Sequence, residues 1–165
     1  MSVRANGESG GDDLGARAQI MREAANALPI GILSWRADGR LRFANKRAVE
    51  ILGGDIVLGM TAVEAMARWH MRGPARDETG AFELLPPEVF AGVAVPFRDV
   101  VVVRSDGERR VIDGRSAPAG AAWPGASQIA ITTFDAVTDR HLAEALRAAE
   151  ARVLEMVAGE LPLSQ

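Results

Sequence analysis

Residues 28–53 read LPIGILSWRADGRLRFANKRAVEILG, a stretch that holds two strands, the reversal between them and the start of a helix. Pro29 stops helix propagation, and Ile30, Ile32 and Ser34 alternate with Gly31, Leu33 and Trp35 as side chains do on the two faces of a strand. Asp38-Gly39 is the pair best able to enter a tight turn, so a hairpin is expected there. Beyond the turn, Leu41 and Phe43 fall on one face and Arg40 and Arg42 on the other. Asn45 then stands where a side-chain oxygen caps a helix, and Ala48, Val49, Ile51 and Leu52 give that helix its apolar side before Gly53-Gly54 ends it.

Toward the N-terminus, Leu14, Ala18, Met21, Ala25 and Leu28 recur at steps of four and three, which predicts an amphipathic helix over residues 14–28. It either covers its own domain or packs on a second copy. Residues 1–13 carry almost no apolar side chains and are expected to form a disordered tail.

Toward the C-terminus, Thr61 is a cap for a helix through Ala62, Val63, Ala65, Met66 and Trp69. The stretch from Gly73 to Leu85 is aperiodic and reads as a loop, with a brief strand expected over Ala81 to Leu84. Pro86-Pro87 starts one further helical turn, closed by Gly92. The rest is sheet. Phe97 to Arg104 and Glu108 to Ala117 flank Asp106-Gly107 as a second hairpin, and Gln128 to Phe134 forms a last strand with Ile129, Ile131 and Thr133 on one face.

The chain has 165 residues, of which 48% are hydrophobic, enough for the core of one ordinary domain. Its formal charge of −3 is spread rather than blocked, so neither a nucleic-acid face nor an acidic tail is indicated. The sequence holds no cysteine, which excludes disulfides, thiolate metal sites and thiol nucleophiles. No apolar run reaches the roughly 18–20 residues that cross a bilayer, and the first residues are not those of a secretion signal, so a cytoplasmic location is expected. The Gly-rich stretches lack the Lys-Ser/Thr of a phosphate loop, and the two histidines, His70 and His141, are too few for a nucleophilic triad or a zinc site.

Taken in order, Leu28, Pro29, Gly31, Ile32, Asp38, Gly39, Phe43, Ala44, Asn45, Leu52 and Gly53 resemble the opening half of a PAS domain, a sensory module of bacterial signalling proteins. The match continues more weakly to about Ala149. The resemblance implies an α+β fold, a five-stranded antiparallel sheet with short helices on one face over residues 29–137. Asp135 to Arg140 is similar to the motif that ends such domains, with Val137, Thr138, Asp139 and Arg140 in place. Ala136, however, stands where the family has aspartate, and Asp135 lies one residue earlier. Thr138 would cap an output helix over residues 138–165. In that segment Leu142, Leu146, Ala149, Val153 and Met156 keep heptad spacing, so a two-helix coil in a homodimer is expected, against a helix folded back on the sheet. Residues 154–164 resemble the lead-in to a GAF domain, which implies a piece of a longer sensor, such as a histidine kinase or a cyclic-dinucleotide enzyme, whose effector lies beyond this segment.

In this fold the concave sheet face meets the helices. The resemblance therefore implies that Ile32, Phe43, Leu52, Phe90, Val101, Val103 and Ile131 line any ligand pocket, with Trp35, Trp69 or Trp123 at its rim. The same residue types equally describe a filled core. Blue-light members require a flavin-adduct cysteine, which this sequence lacks. Haem held by His70 or a noncovalent flavin is an alternative, although no metal site or cofactor is otherwise indicated. A small α+β enzyme is the other alternative, and it needs a buried ionisable group such as Asp113 or Glu83 in the cavity.

Overall fold

The computed structural model describes residues 9–74, 82–119 and 129–137, together with residues 147, 148 and 152. Helix α1 (Ser9–Ala27) leads into strand β1 (Gly31–Trp35) and β2 (Leu41–Ala44). Three short helices follow, α2 (Lys46–Leu52), α3 (Ala62–Arg68) and α4 (Pro87–Phe90). Strands β3 (Val95–Val103), β4 (Arg109–Ala119) and β5 (Ile129–Ala136) complete one antiparallel sheet in the order β2-β1-β5-β4-β3.

Both expected reversals form, and they are built alike. At the first, Arg36 N–H donates to Arg40 O (2.8 Å), Gly39 N–H donates to Arg36 O (2.9 Å), and Asp38 Oδ1 accepts from Arg40 N. At the second, Arg104 N–H donates to Glu108 O (2.9 Å), Gly107 N–H donates to Arg104 O (2.9 Å), and Asp106 Oδ1 accepts from Glu108 N. The glycines have φ of 73° and 84°, a region that costs other residues steric strain.

Helices α2, α3 and α4 close one face of the sheet. Their inward residues, including Ile51, Leu52, Ala65 and Val89, pack with Leu33, Trp35, Leu41, Val100, Val102 and Ile112, each of them buried. Full burial contributes about 1.5–3 kcal/mol for each large aliphatic side chain, which makes this layer the main source of stability. Helix α3 is held at its start by reciprocal bonds: Thr61 Oγ1 accepts from Glu64 N, and the Glu64 carboxylate accepts from Thr61 N (2.6 Å). Neither outer edge of the sheet is bare. Leu41 of β2 pairs with Gly59 and Met60, and β3 pairs with Trp69 and Arg72.

Asn45 organises the entry to the sheet. Its Oδ1 accepts from Ile32 N (2.8 Å) and Ala48 N (2.9 Å), while its Nδ2 donates to Ala25 O (2.8 Å) and Ile30 O (2.9 Å). The amide is fully buried and every polar valence it needs is used, so one residue caps α2, fixes β1 and ties down the end of α1.

Several boundaries differ from expectation. Helix α1 begins at Ser9 rather than Leu14, because the apolar spacing that marks a helix in sequence is not needed in its first turn. Nor does α1 cover its own domain. Its last turn is tied at Asn45 and, through Asn26 Oδ1, at Lys46 N, and Leu14 and Met21 are 69% and 71% exposed. The brief strand expected at Ala81–Leu84 is not formed by its described residues, 82–84. Phe82 and Leu84 bury their side chains without strand pairing, Leu84 being held through N–H to Met66 Sδ (3.2 Å) and through its carbonyl to Ser116. Trp123, Thr138, His141 and the expected seam of Leu142, Leu146, Ala149, Val153 and Met156 lie outside the described residues.

Candidate functional site

Which side chains reach the interior is decided by strand parity, and two β-bulges reset it. In β1 the inward positions are Leu33 and Trp35, with Ile32 and Ser34 on the outer face. Ser34 pairs with Phe43 but Trp35 pairs with Leu41, so Arg42 is an extra residue and the side to which Phe43 points is reversed relative to Leu41. In β3, Phe97 pairs with Gly114 and Val100 with Ile112, which leaves one extra residue at Arg98-Asp99. Asp99 takes φ of 54° there, and its N–H is held by Asp113 Oδ1 (2.8 Å). Val100 and Val102 therefore point inward and Val101 and Val103 outward.

These registers correct the expected pocket lining. Leu52 is in the core and Phe90 packs against it half-buried. Ile32, Phe43, Val101, Val103 and Ile131 stand on the opposite, outer face of the sheet. Trp35 and Trp69 are not at a rim but are fully buried. Trp35 shares the inner face of the sheet with Leu33, Val100, Val102 and Phe134; alternation separates Leu33 from Ile32 and Phe134 from Ile131, but the expected lining takes the wrong member of each pair.

The interior also holds polar chemistry that the sequence reading missed. The Trp35 indole N–H donates to Thr132 Oγ1 (3.0 Å), Thr132 Oγ1 lies 2.7 Å from Ser116 Oγ, and Ser116 Oγ donates to Leu84 O (2.6 Å). Because the Ser116 proton is committed to Leu84, Thr132 must be the donor to Ser116, and the chain runs in one direction from β1 through β5 to β4 and the loop before α4. Thr132 and Ser116 are fully buried. In addition, Trp69 Nε1 is buried with no hydrogen-bond partner among the described residues. A buried donor left unpaired costs about 1–3 kcal/mol.

A row of rings over glycines lies beside this chain. Gly31, Phe134, Gly114 and Phe97 are successive cross-strand partners on β1, β5, β4 and β3. A Cβ on Gly31 would fall 2.6 Å from the Phe134 ring, and one on Gly114 would fall 2.6 Å from Phe97 and 2.8 Å from Phe134 Cβ. Phe97 in turn meets Phe82 edge to face at 5.7 Å.

The remaining expected residues lie on the surface. His70 is exposed at the end of α3 with φ of 44°, facing an outer groove, so an interior haem would receive no ligand from it. Glu83 is exposed and Asp113 belongs to the outer face, which deprives an enzyme reading of the buried acid it required. Asp135 Oδ1 accepts from Ala136 N (2.8 Å) and lies 3.6 Å from Arg47 of α2. The Thr61 N–H beside Glu64 holds its carboxyl below its ordinary value of 4.5, the strongest of several lowering contacts.

Neither a family model nor a curated protein matches the sequence. Solved structures do. The PAS domain of BvgS from Bordetella pertussis is 21% identical with a TM-score of 0.53, covering 85% of this chain and 98% of that one. The PAS domain of nitrogen regulation protein NR(II) from Vibrio parahaemolyticus is 14% identical with a TM-score of 0.51, covering 71% and 97%. A chain of the phage VqmA–DPO complex is 19% identical with a TM-score of 0.54, covering 93% of this chain and 63% of that one. At these identities the shared property is the fold.

Proposed function

We propose that this chain, whose fold is that of a PAS domain, is a non-catalytic sensory module that passes the state of an interior ligand or a partner along β5 to an effector. The observation that carries the reading is the position of Thr132. It is an inner member of the buried hydrogen-bonded chain, and it lies on the strand that pairs with both β1 and β4 and runs out of the sheet at Val137. A change in the interior that moved the Thr132 hydroxyl would move the strand from which residues 138–165 depart.

Trp69 Nε1, buried and without a partner among the described residues, supports a ligand that carries a hydrogen-bond acceptor. The exposed apolar residues of α1 and of the position after it support self-association, since Leu14, Met21 and Leu28 would leave water only against another surface. Relay through a helix beginning at Thr138, with the heptad seam from Leu142 to Met156, belongs to the same reading. Native mass spectrometry of the freshly purified chain tests both parts at once. A dimer, with or without added ligand mass, is expected. A strict monomer at high concentration that carries no small molecule and takes up none from cell extract would overturn the reading.

A further inference from the structure

We propose that a groove beside the outer edge of β3 is a docking site for an acidic segment of a partner protein, a property separate from the interior site. After α3 the chain turns at His70 and runs antiparallel to β3: Val103 N–H donates to Trp69 O (2.9 Å), Arg72 N–H to Val101 O (2.9 Å) and Val101 N–H to Arg72 O (2.7 Å). Direct pairing places Arg72 beside Val101, and Val103 beside Arg109. His70, Arg72, Val101, Val103 and Arg109 thereby enclose a groove of about 400 Å³. Its floor is two half-buried valines and its rim is cationic, with no carboxylate in the lining among the described residues.

Among the described residues, the acids of the adjoining turn are already engaged. Arg104 binds Asp106 (3.3 Å) and Glu108 (2.8 Å), and Arg110 also binds Glu108 (3.0 Å). Among the described residues, Arg72 and Arg109 have no ion pair. Two exposed guanidiniums hold an isolated small anion weakly in water, and such an anion makes no use of the valine floor. A peptide segment in which carboxylates flank an aliphatic side chain satisfies rim and floor together, and this complementarity selects the occupant.

The test is an amide NMR titration of the whole chain with the peptide acetyl-Glu-Leu-Glu-Val-Glu-amide. Shifts are expected at residues 70–72, 101–103 and 109, with affinity at least about tenfold weaker in the Arg72→Glu/Arg109→Glu variant, since attraction becomes repulsion at both ends. Binding should also weaken as salt rises from about 50 to 500 mM. If the charge-reversed chain does not fold, Arg72→Gln/Arg109→Gln serves in its place and should still weaken binding. Three results overturn the proposal: no shifts, or shifts elsewhere; the same shifts from inorganic phosphate at equal concentration, which would mark a simple anion site; or a change in the chain's own mass by light scattering on charge reversal, which would mark a contact between copies.

Discussion

The indole N–H of Trp35 reaches Thr132 Oγ1 at 3.0 Å, a bond between residues 97 apart in sequence that joins β1 to β5 inside the core. A hydroxyl that accepts from one strand and donates to another is sensitive to anything that displaces it, because each bond it loses leaves a buried partner unsatisfied.

Replacing Thr132 by valine keeps the shape and removes the hydroxyl, so Trp35 Nε1 loses its acceptor and Ser116 Oγ its donor. A loss of about 1–3 kcal/mol is expected by urea denaturation. Thr132→Ser should cost less, since it keeps both bonds. Equal losses for the two variants would mean that packing, not the hydrogen-bonded chain, sets the cost.

Asn45→Ala removes four bonds made by one buried amide. Stability should fall by more than about 2 kcal/mol, beyond the cost of an ordinary cap, because the Ile32 N–H and the Ala25 and Ile30 carbonyls lose their partner as well. Hydrogen exchange at Ile32 and Ala48 should quicken most. Unchanged exchange at Ile32 would show that the amide does not hold β1.

The two ring-covered glycines should differ in whether a second change rescues them. Gly31→Ala brings a methyl group only against the Phe134 ring among its closest neighbours, whereas Gly114→Ala also meets Thr133 O and Phe134 Cβ. Each should cost about 1–3 kcal/mol. Phe134→Leu should recover part of the loss for Gly31→Ala, while Phe97→Leu should recover little for Gly114→Ala. Thermal denaturation of the single and double variants separates the outcomes.

At Glu64, the hydrogen bond from Thr61 N lowers the folded-state value below 4.5, the value of the unfolded chain. A lowered carboxyl gives stability that is present above pH 4.5 and lost as pH falls through the folded value. The Glu64 carboxyl signal in an NMR titration should move below pH 4.5, and Glu64→Gln should flatten that part of the stability–pH curve. A midpoint above 4.5 would contradict the reciprocal cap.

The reversals and caps were legible because they rest on residues whose local chemistry admits few conformations: Asp38-Gly39, Asp106-Gly107, Asn45 and Thr61 all act where the sequence placed them. The facing of the strands was not. Val100 to Val103 is apolar on both sides, and Thr132 and Thr133 are the same residue type, so nothing local chooses between faces. The choice is made by long-range register, and the extra residues at Arg42 and at Arg98-Asp99 reset it without a sequence signature. That is why Ile32, Phe43, Val101, Val103 and Ile131 were expected inside and stand outside, and why the Trp35–Thr132–Ser116 chain went unseen.

Hydrogen exchange compared between the unaltered chain and Thr132→Val tests most directly whether β5 links the interior to the departing segment. Faster exchange is expected at Phe134 and Ala136 and onward past Val137, with Phe43 and Ala44 of β2 unchanged. Acceleration confined to Trp35, Ser116 and Leu84, with nothing altered beyond Phe134, would contradict it.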